Sequence, residues 1–410
     1  MAETFKVERQ ALSGLKVVGF VTAGVGPLIL RSLATNGAIV VRVESMKNPD
    51  VTRTMSPYKD NKPGVNRSYA FAHTSPGNFG IAINLKHPRS TEVARRLVSW
   101  ADVIVENWRP GVMESWNLGY EQIRAINPDI IMLSSSQQGE TGPHSMIAAT
   151  GNHLSGLIGF VVLTGWPDRP PVSVGPYPDY IAPLFGTTII LAALDYRRRT
   201  GKGQHIDLSQ YETSIHYLVP AILDYTVNNR VQTRNGNSCP YAAPYGVYRC
   251  KGDDKWCAIA VFRELEWQAF CNVIGNPDWT QDIKFKTLAS RKDHEDELNN
   301  LVENWTVRHT AEEVMMMMQQ VGVEAGVVRD MGEVIENCPQ SNYRHYFWSI
   351  EHPEIGTHTL YGNSYILSKT PYHIQKPAPI IGQDNEYICT QFLGMSDQEF
   401  LELLQDNVFE

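Results

Sequence analysis

Short apolar runs alternate with amphipathic stretches through the first 135 residues of this 410-residue chain, and no other feature narrows the available folds as much. Lys16–Phe20 reads as a buried strand, Leu28–Ala34 as a helix stopped at Gly37, and Ala38–Val43 as the next strand. The stretch from Ser90 to Trp100 carries Val93 and Leu97 on one helical face, and Val103–Val105 follows as a strand. Tyr120–Asn127 is a short helix closed by Pro128, and Ile130–Ser134 is a further strand. Strands this short, joined by helices, predict an α/β fold: a Rossmann-like large domain with a parallel, doubly wound sheet.

A second informative stretch begins at Asp179. An uncharged helical run from Tyr180 to Leu194 ends in three arginines and Gly201, which suit the negative end of a helix dipole and a left-handed stop. His205–Leu208 reads as a strand, and Ser209 with Glu212 as a capping box opening another helix. Around 232–245 the chain turns rich in Asn, Gly, Pro and Ser and reads as a linker or lid. Gly246–Phe262 then looks like a hairpin of exposed strands, followed by helices near 265–274 and 292–305 and one opened by Thr310 and Glu313. Met315–Met318, inside that helix, read as flexible core filler. Together these elements predict a small α+β domain. The tail shows strand patterns near 358–367 and a last helix from Ser396, with an apolar face of Leu401, Leu403 and Leu404.

The totals narrow the function classes. A net charge of -8 argues against nucleic acid and anionic membrane as partners. Six cysteines without a C-x-x-C pair are too sparse for a disulfide scaffold and show no zinc-ligand spacing, so no metal is expected and the thiols read as reduced, in a cytoplasmic protein. The opening MAETFKVERQ lacks the apolar core of a secretory signal, and the longest apolar stretches are too short or too interrupted to span a bilayer.

Several runs resemble the class III (family III) CoA-transferases, the CaiB/BaiF-like family that also contains the α-methylacyl-CoA racemases. They include Leu12–Val17, Asn36–Ala38 with Arg42–Glu44, Asn84–Pro88, Ala101–Met113 (ADVIVENWRPGVM), Gly139–Pro143, Arg199–Gly203 and Gly382–Asn385, in an order that covers nearly the whole chain. The resemblance implies a large domain built from 1–225 and a returning segment 336–410, a linker and small domain at 226–335, and two subunits interlocked as a dimer. It implies acyl-CoA and a carboxylic acid as substrates and no tightly bound cofactor.

By that resemblance Asp179, in Gly175-Pro-Tyr-Pro-Asp-Tyr180, is the nucleophile, attacking a thioester to form an acyl anhydride. On position alone an acid at a helix start is most often a cap, and the dipole there favours its ionised form. Candidates for holding CoA are Gly24, Asn78, Phe79, Asn107, Trp108, Arg109 and the loop Ser136, Gln137 and Gln138. Gly24-x-Gly26 serves equally as a tight turn, Arg109 as a surface ion-pair residue, and Asn107 and Trp108 as local packing. Three basic positions usual in the family are Ser45, Asn78-Phe79 and Ser115 here, with Arg42, Lys47 and Lys86 as substitutes. The family's glycine-rich lid is replaced by Arg234–Pro244. A paralogous partner subunit completing the CoA site is one reading of those losses, and a non-catalytic subunit is another.

The Tyr177–Pro183 run resembles the benzylsuccinate CoA-transferases of anaerobic toluene breakdown, which points to 2-benzylsuccinate as acceptor, with succinyl-CoA as donor by analogy. A racemase needs a His where Met146 and Ile147 stand, and a nicotinamide dehydrogenase needs a third glycine where Ile29 stands.

Overall fold

The computed structural model describes residues 10–409. Its main sheet has six parallel strands: β1 (Lys16–Phe20), β2 (Ile39–Glu44), β3 (Phe79–Ala82), β4 (Val103–Glu106), β5 (Ile131–Ser136) and β6 (Gln204–Ser209). Their order is β3-β2-β1-β4-β5-β6, the Rossmann order, with the direction of winding reversing between β1 and β4. The pleat sends Val18 and Phe20 to one face and Val17 and Val21 to the other. On the first face lie helix Ser90–Trp100, through Val93 and Leu97, and the C-terminal residues Ile388, Met395, Phe400, Leu403, Val408 and Phe409. On the second lie helix Val25–Thr35, through Ile29, Leu30 and Leu33, and the 23-residue helix Pro178–Thr200, through Ala182, Ile190 and Ala193. A parallel sheet needs both faces covered, and here both are.

The chain divides into two compact units. One holds the main sheet and comprises residues up to 161, 173–231 and those from 345 on; the other comprises 162–172 and 232–344. The second unit contains an antiparallel sheet of β7 (Tyr245–Arg249), β8 (Trp256–Ala260) and β9 (Glu324–Val328), in the order β7-β8-β9. Its core gathers Phe270, Leu298, Val302, Val314 and Met318. No helix among the described residues is long and apolar enough to cross a membrane, and no group of three His, Cys, Asp or Glu among them is placed to hold a metal ion.

Strands β1, β2, β4, β5 and β6 and the helices at Ser90–Trp100 and Tyr120–Ile126 appear within two residues of their expected limits, whereas the first helix begins three residues early, at Val25, the long helix extends to Thr200, and β3 had no predicted counterpart. The tail differs. Its strand pattern is a hairpin of β10 (Phe347–His352) and β11 (Gly356–Tyr361), so residues beyond 361 lie outside it. In the last helix, Asp397–Gln405, Phe400 and Leu403 face the sheet, whereas Leu401 and Leu404 are exposed. β7 and β8 are half-buried rather than exposed, because helices Glu264–Val273 and Ala311–Gln320 pack on them with β9 alongside.

Candidate active site

Ligands of open parallel sheets bind at the carboxyl ends of the strands, next to the point where winding reverses. Here that point is the turn Thr22-Ala23-Gly24, which carries β1 into helix Val25–Thr35. Ala23 has φ +60°, a left-handed conformation uncommon for alanine. Its N–H donates to Asp50 Oδ2 at 2.9 Å, which anchors the turn. Asp50 is itself buried and paired with the fully buried Arg42, and it accepts the Thr52 N–H at 2.6 Å. From the other side Asn107, just beyond β4, grips the turn. Its amide accepts the Thr22 N–H and donates to the Thr22 carbonyl, both at 2.8 Å. Glu106 fixes the next residue, its Oε2 accepting the Trp108 N–H at 2.9 Å. Burial pushes the Glu106 carboxyl up to about 7.

Asp179 faces this turn. It is the second residue of the long helix, which opens at Pro178, a favoured first-turn position for proline. Its carboxylate lies between two glycines. A Cβ at Gly24 would stand 3.3 Å from Oδ2, and one at Gly151 would stand 2.4 Å from Oδ1. Only glycine leaves room at 151. The carboxylate lines a cavity of about 260 Å³. Burial raises its pKa from 3.8 to about 6, with no hydrogen bond or cation opposing the shift. Burial therefore works against the ionised form that the helix start was expected to favour, and no backbone N–H of the described residues bonds these oxygens.

Of the expected site residues, Gly24, Asn107, Trp108, Arg109, Ser136 and Gln137 line this cavity with Asp179. Gln138 does not. Asn78 and Phe79 are also elsewhere, at the start of β3 rather than at its carboxyl end. The Phe79 ring stacks on Tyr387 with Lys376 Nζ 3.9 Å from its centroid, and Asn78 is fully buried. Arg42, held by Asp50, is not available to a phosphate. Lys47 and Lys86 line a second cavity of about 160 Å³, with Ser45, Trp108 and Trp116. Thr22 and Trp108 are common to both cavities, so one wall serves the two. The indole rings of Trp108 and Trp116 meet edge to face at 5.5 Å.

Sequence reasoning passed over Gly151 and Glu106. The signal for Gly151 was the run Ala148-Ala149-Thr150-Gly151 ahead of a helix; Glu106 sat inside the ENWRPG run already singled out. No histidine lines the cavity. His144 is exposed, and His153 Nδ1 is engaged by Thr150 at 2.9 Å.

The sheet thus has the Rossmann order and carries at its ligand edge the Asp179 carboxylate, which no described residue pairs or bonds. The chain belongs to CoA-transferase family III, whose family model matches residues 12–385, and it is a CoA-transferase. It is 31% identical over 381 residues to the succinyl-CoA–D-citramalate CoA-transferase of Chloroflexus aurantiacus, covering 93% of each chain. It is 28% identical to the beta subunit of that organism's succinyl-CoA–L-malate CoA-transferase, covering 97% of this chain and 98% of the relative. Among solved structures, a CaiB/BaiF family protein from Brucella suis matches with a TM-score of 0.85 at 27% identity, over 94% of this chain and 100% of that one.

Proposed function

We propose that this enzyme moves CoA from succinyl-CoA to a carboxylic acid through covalent adducts on Asp179. The observation that supports this reading is the placement of an unpartnered carboxylate in a cavity at the sheet's carboxyl edge. An Asp179 oxygen attacks the donor thioester carbonyl, the C–S bond breaks, and a mixed anhydride and free CoA thiolate result. The thiolate attacks the Asp179 carbonyl carbon, releasing the donor acid and leaving an aspartyl-CoA thioester. The acceptor carboxylate attacks that thioester and expels the thiolate, which then takes the acceptor acyl group from the second anhydride and frees Asp179. Gly24 and Val25 line the cavity at the start of helix Val25–Thr35, whose first N–H groups have no partner within the helix and suit the developing oxyanions.

The pantetheine arm would run along Thr22 and Trp108, which border both the Asp179 cavity and the second one. There Lys47 and Lys86 suit phosphate, and the indole faces suit adenine. For 2-benzylsuccinate as acceptor, the apolar lining of Val25, Ile147, Ala148 and Ala149 would take the phenyl group. Proton exchange at an α-carbon, the racemase reading, wants a second base facing Asp179, and the histidines near it in sequence do not line the cavity.

We read the working form as an interlocked dimer. The exposed Tyr180, Leu184 and Leu191 of the long helix border an apolar cavity of about 570 Å³, a surface suited to a second chain. Full transfer activity from this chain purified alone would exclude the need for a paralogous partner. The six free thiols fit a cytoplasmic enzyme.

The decisive experiment is trapping. Enzyme incubated with succinyl-CoA and then with hydroxylamine or borohydride should carry a modification that peptide mass spectrometry places on Asp179, and Asp179→Asn should carry none. An active enzyme with an unmodified Asp179 peptide would end the proposal.

A further inference from the structure

Among the described residues, Asp179 and Arg109 are the only charged ones that line the Asp179 cavity; the other described lining residues are neutral. The Arg109 side chain is exposed and forms no ion pair with any described residue, and it does not line the second cavity, where Lys47 and Lys86 stand. The cations are thus divided, lysines on one side of the Thr22–Trp108 wall and the arginine on the other. The backbone leading to Arg109 is fixed by the Asn107 and Glu106 contacts, and Pro110 restricts Arg109 itself to extended conformations.

We infer that Arg109 binds the distal carboxylate of a dicarboxylic acyl group, so that the enzyme selects diacids as both donor and acceptor; this rests on the Asp179 mechanism proposed above. A guanidinium presents a planar pair of N–H donors that matches a carboxylate. A diacid approaching an ionised Asp179 meets a like charge, and in this cavity Arg109 is the group that offsets it. A monocarboxylic acyl group leaves the guanidinium without its partner. Donor and acceptor acyl groups occupy Asp179 in turn, so a single subsite serves both half-reactions. Selectivity on the donor side therefore carries over to the acceptor side.

Succinyl-CoA and butyryl-CoA have the same number of acyl carbons and differ in the distal carboxylate, which makes them the test pair. Wild-type enzyme should use succinyl-CoA with a kcat/KM about tenfold or more above that for butyryl-CoA. Arg109→Gln should remove most of that ratio by losing far more on succinyl-CoA than on butyryl-CoA, with Arg109→Lys intermediate. The same pattern should appear with glutarate and valerate as acceptors. Equal losses on both donors, or weakened inhibition by free CoA, would assign Arg109 to CoA and overturn the inference. So would a wild-type enzyme that forms Asp179 adducts equally well from both donors. Failure to form any Asp179 adduct would instead defeat the mechanism, so the two failures are distinguishable.

Discussion

Two carboxylates flank the turn Thr22–Gly24, and they differ in every respect that matters to chemistry. Asp50 is 5% exposed and saturated: it accepts the N–H groups of Ala23 and Thr52, the Thr52 hydroxyl and the Arg42 guanidinium. Asp179 touches the same turn through Gly24, yet no described residue bonds its oxygens, and burial raises its proton affinity. An acid whose lone pairs are filled holds a loop in place. One whose lone pairs are empty keeps them for a substrate, and the fold carries the desolvation cost. Both acids sit at the same edge of the same sheet, so position does not separate them; their partners do.

The contrast is most severely tested by neutralising each acid. Asp179→Asn should lower CoA transfer by about a thousandfold or more, since the nucleophile is gone. It should also stabilise the protein. The folded pKa of Asp179 is raised to about 6, so the fold disfavours the ionised form; removing the charge gains stability above pH 6, and the gain vanishes below the ordinary value of 3.8. Roughly 1–2 kcal/mol at pH 8, discounted for solvent screening, should be visible in urea denaturation, with little difference at pH 4. Asp50→Ala should do the reverse, costing about 3–5 kcal/mol by stranding the buried Arg42. Adding Arg42→Met should recover part of that loss, and non-additivity in the double-mutant cycle would show it.

Gly151→Ala tests the space around Asp179. A Cβ 2.4 Å from Oδ1 must displace the carboxylate, and a fall in kcat of roughly a hundredfold is expected. An unchanged rate would mean that the carboxylate is not held where its glycine neighbours place it. The mildest test is titration. With Asp179 raised to about 6, kcat/KM should be level above pH 7 and fall about tenfold per unit below 6. A fall that begins only near 3.8 would show that burial does not govern this group.

Much of the architecture was legible because it is local. The run Lys16-Val-Val-Gly-Phe20 becomes β1 within its own residues, the capping box at Thr310 forms in full, and at Ser209 the hydroxyl accepts the Glu212 N–H as the three-residue spacing requires. Asp179 stood out only through resemblance, since an acid at a helix start is ordinary. What stayed hidden depends on distant pairing. Arg42 looked available because its partner Asp50 returns to it from a separate loop. Phe79 looked like part of a ligand-binding turn because the sequence does not show that Tyr387, from the far end of the chain, takes its ring face. Gly151 gained meaning only when Asp179 was brought against it from 28 positions away in the chain. Strand β9 was missed because its partner in the small sheet, β8, is contributed more than 60 residues earlier.

The closure of one sheet face by residues 388–409 sets an order of events during synthesis. All six strands of the main sheet are present once residue 209 has been made, but the side chains that complete that face, from Ile388 to Phe409, emerge only much later. At usual elongation rates the nascent protein waits roughly 10–40 s with Phe20, Val43 and Ile81 incompletely shielded. That interval is when a chaperone would have most to hold, and a chain interrupted before Ile388 would remain in that sticky state for good.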